Sequence, residues 1–245
     1  MKVYIRQDAE KQFASVNFFT AYDGFRKMGW EIEGFDRTTN FDSLQPDNVV
    51  VGYLDDVWSA LTKLNIAIPP ETNYPEELQE FLGRKIWRSK IDYIASHPEL
   101  WNIFVKPAYS SKKFVGRVVR STKDLIACGD EYENTEIWCS EVVNFVAEWR
   151  CFVRYGEIID LRKYAGSWRV HLDPEIVDRA IKSYRNAPKA YAIDFGTTDR
   201  SETLLIEVND GYSLGCYGLA SHDYAKFLAT RWAEMTATED LALFP

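Results

Sequence analysis

The sequence predicts a mixed α/β (α+β) fold, with a small strand–helix unit in front of a strand-rich body. Three observations lead there. The first third alternates short apolar strands with helix-spaced segments, the pattern of a parallel sheet with crossover helices. The remainder holds several apolar strand-like runs in close order, joined by tight turns. With 245 residues, 46% of them apolar and 15% aromatic, the chain can bury a core without disulfide or metal support.

Charge and cysteines narrow the class. With 29 basic and 37 acidic side chains the formal charge is -8, which argues against a nucleic-acid binder. No apolar run approaches the roughly 18 residues of a membrane span. The opening Met1–Gln7 turns polar too soon for a signal peptide. Cys128, Cys139, Cys151 and Cys216 form no C-x-x-C pair, and His97, His171 and His222 are scattered, so no zinc spacing exists. A reduced, cytoplasmic protein is the expectation.

The elements follow in order. Val3–Ile5 reads as a strand. Phe18 to Met28 reads as a helix with Gly29 as its C-cap. Glu31–Phe35 alternates like a strand, and Val49–Val51 is a fully apolar one. Asp56 caps a helix bearing Val57, Trp58, Leu61 and Leu64. Ile66–Ile68 reads as a further strand, closed by Pro69-Pro70. The polar stretch to Pro75 places a boundary near residue 80, dividing the chain into 1–80 and 81–245. Glu76 to Leu82 reads as a short helix, and Lys85 to Ser96 as a second.

The body then continues. Asn102 to Lys106 is a strand stopped by Pro107, and Ser110 to Lys113 is a polar loop. Phe114 to Val119 is the next strand. Thr122 caps a short helix to Cys128. Strands at Glu136–Val143, Glu148–Arg154 and Ile158–Tyr164 follow, the last two joined by a Tyr155-Gly156-Glu157 hairpin. Pro174 to Arg185 is a helix capped by Asp173. Ala190–Phe195 and Thr203–Val208 are core strands around a polar loop, and His222 to Glu234 is the closing helix. The last residues are expected to fray, and the eight tryptophans are mostly core candidates.

Four features could carry chemistry. In Glu207-Val208-Asn209, alternation projects Glu207 and Asn209 from one face while Ile206 and Val208 point to the core. Two oxygen ligands at that spacing suit Mg²⁺, although such a pair is more often a solvated edge. Asp194 is an acid inside the apolar strand that pairs with it, and an acid there needs a partner or a metal. Lys106 closes an apolar strand, either snorkelling to solvent or holding phosphates. Glu141–Val143 and Glu148–Val153 can supply apolar walls, main-chain groups and a carboxylate for a nucleoside, or form an ordinary hairpin. Neither G-x-x-x-x-G-K-[ST] nor G-x-G-x-x-G occurs.

In chain order these features resemble the ATP-grasp superfamily, and within it the small bacterial and phage branch named for two arginines and a lysine. Tyr74–Leu78, Phe81–Trp87, Glu148–Val153, Asp194-Phe195-Gly196 and Glu207–Gly211 carry the resemblance. It implies a small N-terminal Rossmann-like domain before an ATP-grasp domain with subdomains at 81–140 and 141–245. It further implies ATP and Mg²⁺ as cofactors. By the resemblance Lys106 contacts the α- and β-phosphates. Glu141 and Val143 form the adenine hinge, and Glu148 holds the ribose. Asp194, Glu207 and Asn209 ligate Mg²⁺. Arg150, Arg162 and Lys163 match the basic residues near the γ-phosphate and acceptor. Lys90, Arg88 or Arg84 takes the place of the first nucleotide lysine.

The implied activity is ATP-dependent ligation of a carboxylate to an amine, or less often a thiol or hydroxyl, through an acylphosphate. A peptide or amino-acid carboxylate is the expected substrate, with no membrane or nucleic-acid partner. The alternatives are an ATP-binding regulatory module without ligase activity and a kinase on the same fold.

Overall fold

Three sheets organise the chain in the computed structural model, which describes residues 1–39, 41–71, 73–109, 114–129 and 133–243. The first is parallel, in the order β2-β1-β3, from β1 (Lys2–Arg6), β2 (Glu31–Phe35) and β3 (Val49–Val51). Helices α1 (Val16–Lys27) and α2 (Leu54–Lys63) complete this unit. Ser15 caps α1 by accepting from the Asn17 backbone N–H at 3.2 Å. The α2 cap differs from the sequence reading: the helix starts at Leu54, and Asp56 reaches back to accept from the Tyr53 N–H at 2.9 Å. Ile66–Ile68 is not a strand. The parallel sheet ends at β3 with no neighbour for it, and Ile68 is exposed.

The second sheet is antiparallel, in the order β4-β7-β5-β6. Its strands are β4 (Ile86–Lys90), β5 (Ile103–Pro107), β6 (Arg117–Val119) and β7 (Glu136–Glu141). Here the sequence expectation of a helix from Lys85 is corrected. Residues 86–90 pair antiparallel with β7, and the helix α3 begins only at Ile91 and ends at Ser96. Ile91, Ile94, Ile103, Val105, Ile137 and Cys139 form the core on one face of this small sheet. Glu76–Phe81 and Thr122–Leu125 are 3₁₀ turns, and Ser121, not Thr122, sits at the start of the second. The predicted loop Ser110–Lys113 lies outside the described residues.

The third sheet has the order β11-β10-β8-β9, from β8 (Phe145–Arg154), β9 (Glu157–Gly166), β10 (Ala190–Thr198) and β11 (Thr203–Asp210). Tyr155 and Gly156 turn the β8–β9 hairpin with φ of 52° and 77°, the left-handed pair a tight two-residue turn needs. One face of this large sheet packs on α4 (Pro174–Ser183) through Val153, Ile193, Phe195 and Val208. Asp173 caps α4 by accepting from the Glu175 N–H at 2.9 Å.

Helix α5 (Ser221–Met235) belongs to the other core. Tyr224, Phe227, Leu228 and Trp232 pack with Val3, Ile5, Phe25 and the β3 valines, and with Phe152 and Ala192 of the large sheet. Helices α1 and α5 approach so closely at Gly24 that a Cβ there would lie 2.0 Å from the Ser221 carbonyl oxygen. The expectation that the last residues fray falls on 244–245, which lie outside the described residues; just before them Arg154 donates to Ala242 O at 2.8 Å, and Ala242 is buried. Trp168 departs from the core expectation, at 74% exposed.

Candidate active-site cleft

On the small sheet, register places Arg88 beside Trp138 and Trp138 beside Lys106. Cross-strand partners share a face, so these three form one row opposite the Ile–Cys core face. Arg88 lies over the Trp138 ring at 4.4 Å and the Tyr109 ring at 5.0 Å, with Glu136 3.8 Å away. The Trp138 indole N–H is buried and has no hydrogen-bond partner among the described residues. Lys90 is exposed at the strand end, beside Glu136 in register.

On the large sheet, Arg162, Arg150, Asp194 and Glu207 are successive register partners across four strands. Arg150 grips Asp194 with two hydrogen bonds of 2.8 and 2.7 Å, both residues being buried. Its guanidinium also lies 4.3 Å from the Tyr217 ring, which meets Tyr164 edge-on. The Tyr164 hydroxyl donates to Glu148 at 2.8 Å. Arg162 is bonded to Asp160 at 2.7 Å. Lys163 is not in the row. It turns over the Trp149 ring and donates to the carbonyls of Ser167 and Val170.

The two sheets meet where Lys106 donates to Glu207. Lys106 also donates to Asn73 Oδ1 at 2.9 Å and lies 4.7 Å from the Tyr74 ring. The Asn209 amide donates to the other Glu207 oxygen at 3.3 Å. Nothing in the sequence pattern pointed to Asn73, Tyr74, Trp138, Tyr164 or Tyr217 as cleft residues. Their contacts come from segments distant in sequence.

Glu207 faces the cleft because the strand is broken in phase. Register runs Asp194 to Glu207 but Phe195 to Leu205, so Ile206 is an extra, bulged residue. Ile206 is therefore not one of the core residues, as alternation suggested. Leu205 and Val208 are.

Of the three candidates for the first phosphate cation, Arg84 is engaged elsewhere. It donates to Ser140 Oγ and to the carbonyls of Leu82, Leu205 and Ile206. Arg88 shares the Lys106 row, and Lys90 lies one pair further along. Glu141 ends β7, with its carboxylate accepting from the Lys85 N–H at 2.8 Å and its carbonyl accepting from Ser140 Oγ at 2.7 Å. Val143 follows in the linker to β8, half-buried.

Burial and pairing set the charges. Burial pushes the Asp194 carboxyl up to about 6, even with Arg150 pulling the other way. Burial also works against ionised Glu207, but the Lys106 charge outweighs it and holds the carboxyl below its usual range. Lys106 is in turn raised, because Glu207 overcomes its desolvation. Arg150 is raised by its bonds to Asp194 against burial.

The donor set fits Mg²⁺ with a polyphosphate. Asp194, Glu207 and Asn209 offer hard oxygens on neighbouring strands, and each Asp194 oxygen keeps a lone pair beyond its arginine bond. Opposite them lie Lys106, Arg88 and the unpartnered Trp138 N–H. Among the described residues no group of three or more His, Cys, Asp or Glu forms a separate metal cluster. No helix there is long and apolar enough to cross a membrane.

Comparison with solved structures identifies the fold class as ATP-grasp. A D-alanine–D-alanine ligase from Bacillus anthracis matches with a TM-score of 0.58 at 11% identity, over 97% of this chain and 98% of that one. The ATP-grasp ligase PsnB, complexed with minimal precursor, Mg and ADP, matches at 0.52 and 12% identity, over 94% and 96%. The macrocyclase MdnC of Microcystis aeruginosa MRC, bound with precursor peptide MdnA, matches at 0.50 and 14%, over 93% and 99%. A search of curated proteins finds no match. The model of the R2K clade family 2 ATP-grasp domain matches residues 81–227, and the chain belongs to that family.

Proposed function

We propose that the chain is an ATP- and Mg²⁺-dependent ligase joining a carboxylate to an amine, or less often a thiol or hydroxyl, on a peptide or amino-acid substrate. The observation that carries this reading is the pairing across the cleft: oxygen donors Asp194, Glu207 and Asn209 face the cation row of Lys106 and Arg88. Bound Mg²⁺-ATP would supply an activated phosphoryl group, giving an acylphosphate and ADP before the nucleophile displaces phosphate.

The chain's own residues position and neutralise, which is most of what phosphoryl transfer asks of a protein. With Mg²⁺-ATP bound, Glu207 would hold the metal and Lys106 would place its ammonium at the phosphates. Arg88 provides the second phosphate cation in the same row. Glu141 and Val143 frame the base, and Glu148, oriented by Tyr164, accepts from ribose hydroxyls. Arg150 orients Asp194 and stabilises charge at the transferring group. Arg162 and Lys163 belong to the acceptor side. The division near residue 80 fits this reading, with the N-terminal unit shaping the acceptor pocket. The likeness to PsnB complexed with minimal precursor, to MdnC bound with precursor peptide MdnA and to the D-alanine–D-alanine ligase favours a peptide or amino-acid substrate.

The test is ADP release in the presence of Mg²⁺-ATP and panels of carboxylates and amines, with product analysis. An amide product with ADP supports the ligase. ATP binding without ADP in any mixture overturns it for the regulatory module, and a stable phosphorylated product overturns it for the kinase.

A further inference from the structure

Arg84 precedes β4 and reaches across to the large sheet. Its NH1 donates to the Leu205 carbonyl at 2.7 Å and its NH2 to the Ile206 carbonyl at 3.0 Å. In a regular strand consecutive carbonyls point to opposite sides. That both reach one guanidinium is the mark of the bulge at Ile206. β11 is an edge strand, so among the described strands these carbonyls have no ladder partner on that side. The same guanidinium donates to Leu82 O at 2.8 Å and to Ser140 Oγ at 3.1 Å, and lies 5.5 Å from the Phe145 ring.

The bulge decides where Glu207 points. Leu205 is fully buried in the core on the α4 side. With regular alternation, residues 205 and 207 would share a face, and Glu207 would enter that core. The extra residue shifts the phase by one, so Val208 takes the core position and Glu207 emerges in the cleft. We propose that Arg84 is the positioning residue for Glu207: by binding the two bulge carbonyls it fixes the strand phase that aims this carboxylate at the metal.

Lysine cannot replace it. An ammonium is a point donor, whereas the guanidinium's planar fork serves two carbonyls at fixed separation. Arg84 also bonds Ser140, whose hydroxyl donates to the Glu141 carbonyl at the linker between the sheets. The phase of the metal strand and the small-sheet edge are therefore held by one side chain.

This inference rests on the metal reading of the cleft, and one experiment separates the two. Binding of Mn²⁺, as a spectroscopic stand-in for Mg²⁺, is titrated with a non-hydrolysable ATP analogue on wild type, Arg84→Lys, Arg84→Ala and the surface control Arg179→Ala. Folding is verified by circular dichroism at the temperature used. Arg84→Lys keeps the stem and the charge, so it serves if Arg84→Ala does not fold. The expected result is Mn²⁺ binding weakened about tenfold or more in folded Arg84→Lys, the scale of altered metal-site support. Analogue affinity at saturating metal stays within about threefold, since the phosphate cations are untouched. A purely structural arginine would lower the melting temperature and leave the metal constant alone. Wild-type Mn²⁺ affinity in folded Arg84→Lys overturns the role of Arg84. No analogue-dependent Mn²⁺ binding in wild type overturns the metal reading, and the Arg84 role with it.

Discussion

The two antiparallel sheets present opposite chemistry to the cleft they share. The large sheet holds a charge pair of its own: Arg150 and Asp194, both buried, bind each other with two bonds. The small sheet leaves Arg88 resting on aromatic faces, with a contact to Glu136 of 3.8 Å. Its Trp138 N–H has no hydrogen-bond partner among the described residues. Lys106 crosses over to the large sheet's Glu207. A buried pair in one wall and underused donors in the other define what fits between them. Under the proposed function, a nucleoside triphosphate would turn its negative charge toward the small sheet and its metal toward the large one.

Breaking the large-sheet side should have the greatest effect. Glu207→Gln and Asn209→Ala are expected to lose about 10²-fold or more in turnover, the scale of one preorganised electrostatic contact. Steady-state rates at saturating ATP check this, and unchanged turnover in both removes the metal assignment. On the small-sheet side, Lys106→Ala should lose most of the thermal stabilisation given by Mg²⁺-ATP. A ligand at 100 times its dissociation constant adds about 2.7 kcal/mol to the wild type.

The small sheet also offers a way to sharpen the contrast. Arg88→Ala should weaken ATP about tenfold, the order of a lost hydrogen bond to a charged group. Lys90→Ala should change it less than threefold, since Lys90 lies one pair beyond the Arg88–Trp138–Lys106 row, beside Glu136. Calorimetry on the two variants decides which residue grips phosphate, and equal losses would defeat the row argument.

Acid tests the large sheet from a different direction. The Asp194 carboxyl is raised to about 6, so lowering the pH from 7 to 5 adds a proton to it. The protonated form neither ligates a metal nor balances Arg150. Metal-dependent nucleotide binding should therefore weaken as pH falls through about 6, approaching tenfold per further unit. Binding that is flat from pH 7 to 5 contradicts this. The smallest effect is expected far from both sheets. Ser15→Ala removes the α1 cap and should cost about 1 kcal/mol of stability in denaturant melts, leaving metal binding intact.

Much of this arrangement was legible in the sequence. The parallel unit at the front, the β8–β9 hairpin and the α4 cap follow from apolar spacing and turn residues alone. The failures have physical causes. Ile86 to Lys90 runs without a break into α3, and Ile86, Trp87, Ile91 and Ile94 also fit helical spacing. Only pairing with β7 makes the first five residues a strand. Ile66–Ile68 has strand composition but pairs with no strand of the described sheets. Alternation placed Glu207 and Asn209 together, yet could not reveal the bulge that sends Ile206 out of phase. That bulge depends on Arg84, more than a hundred positions away in the chain. The Arg150–Asp194 pair was likewise hidden, because cross-strand register is a property of the sheet and not of either strand.

The packing of α5 on α1 and β3 has a consequence for how the protein is made. The front sheet leaves the ribosome well before Tyr224, Phe227, Leu228 and Trp232, which pack against it. Until then Phe18, Phe25 and the β3 valines lack a lid, and Gly24 waits for the backbone of Ser221. Closing this core is therefore a long-range event, and apolar surface of the front unit stays open until α5 has been made.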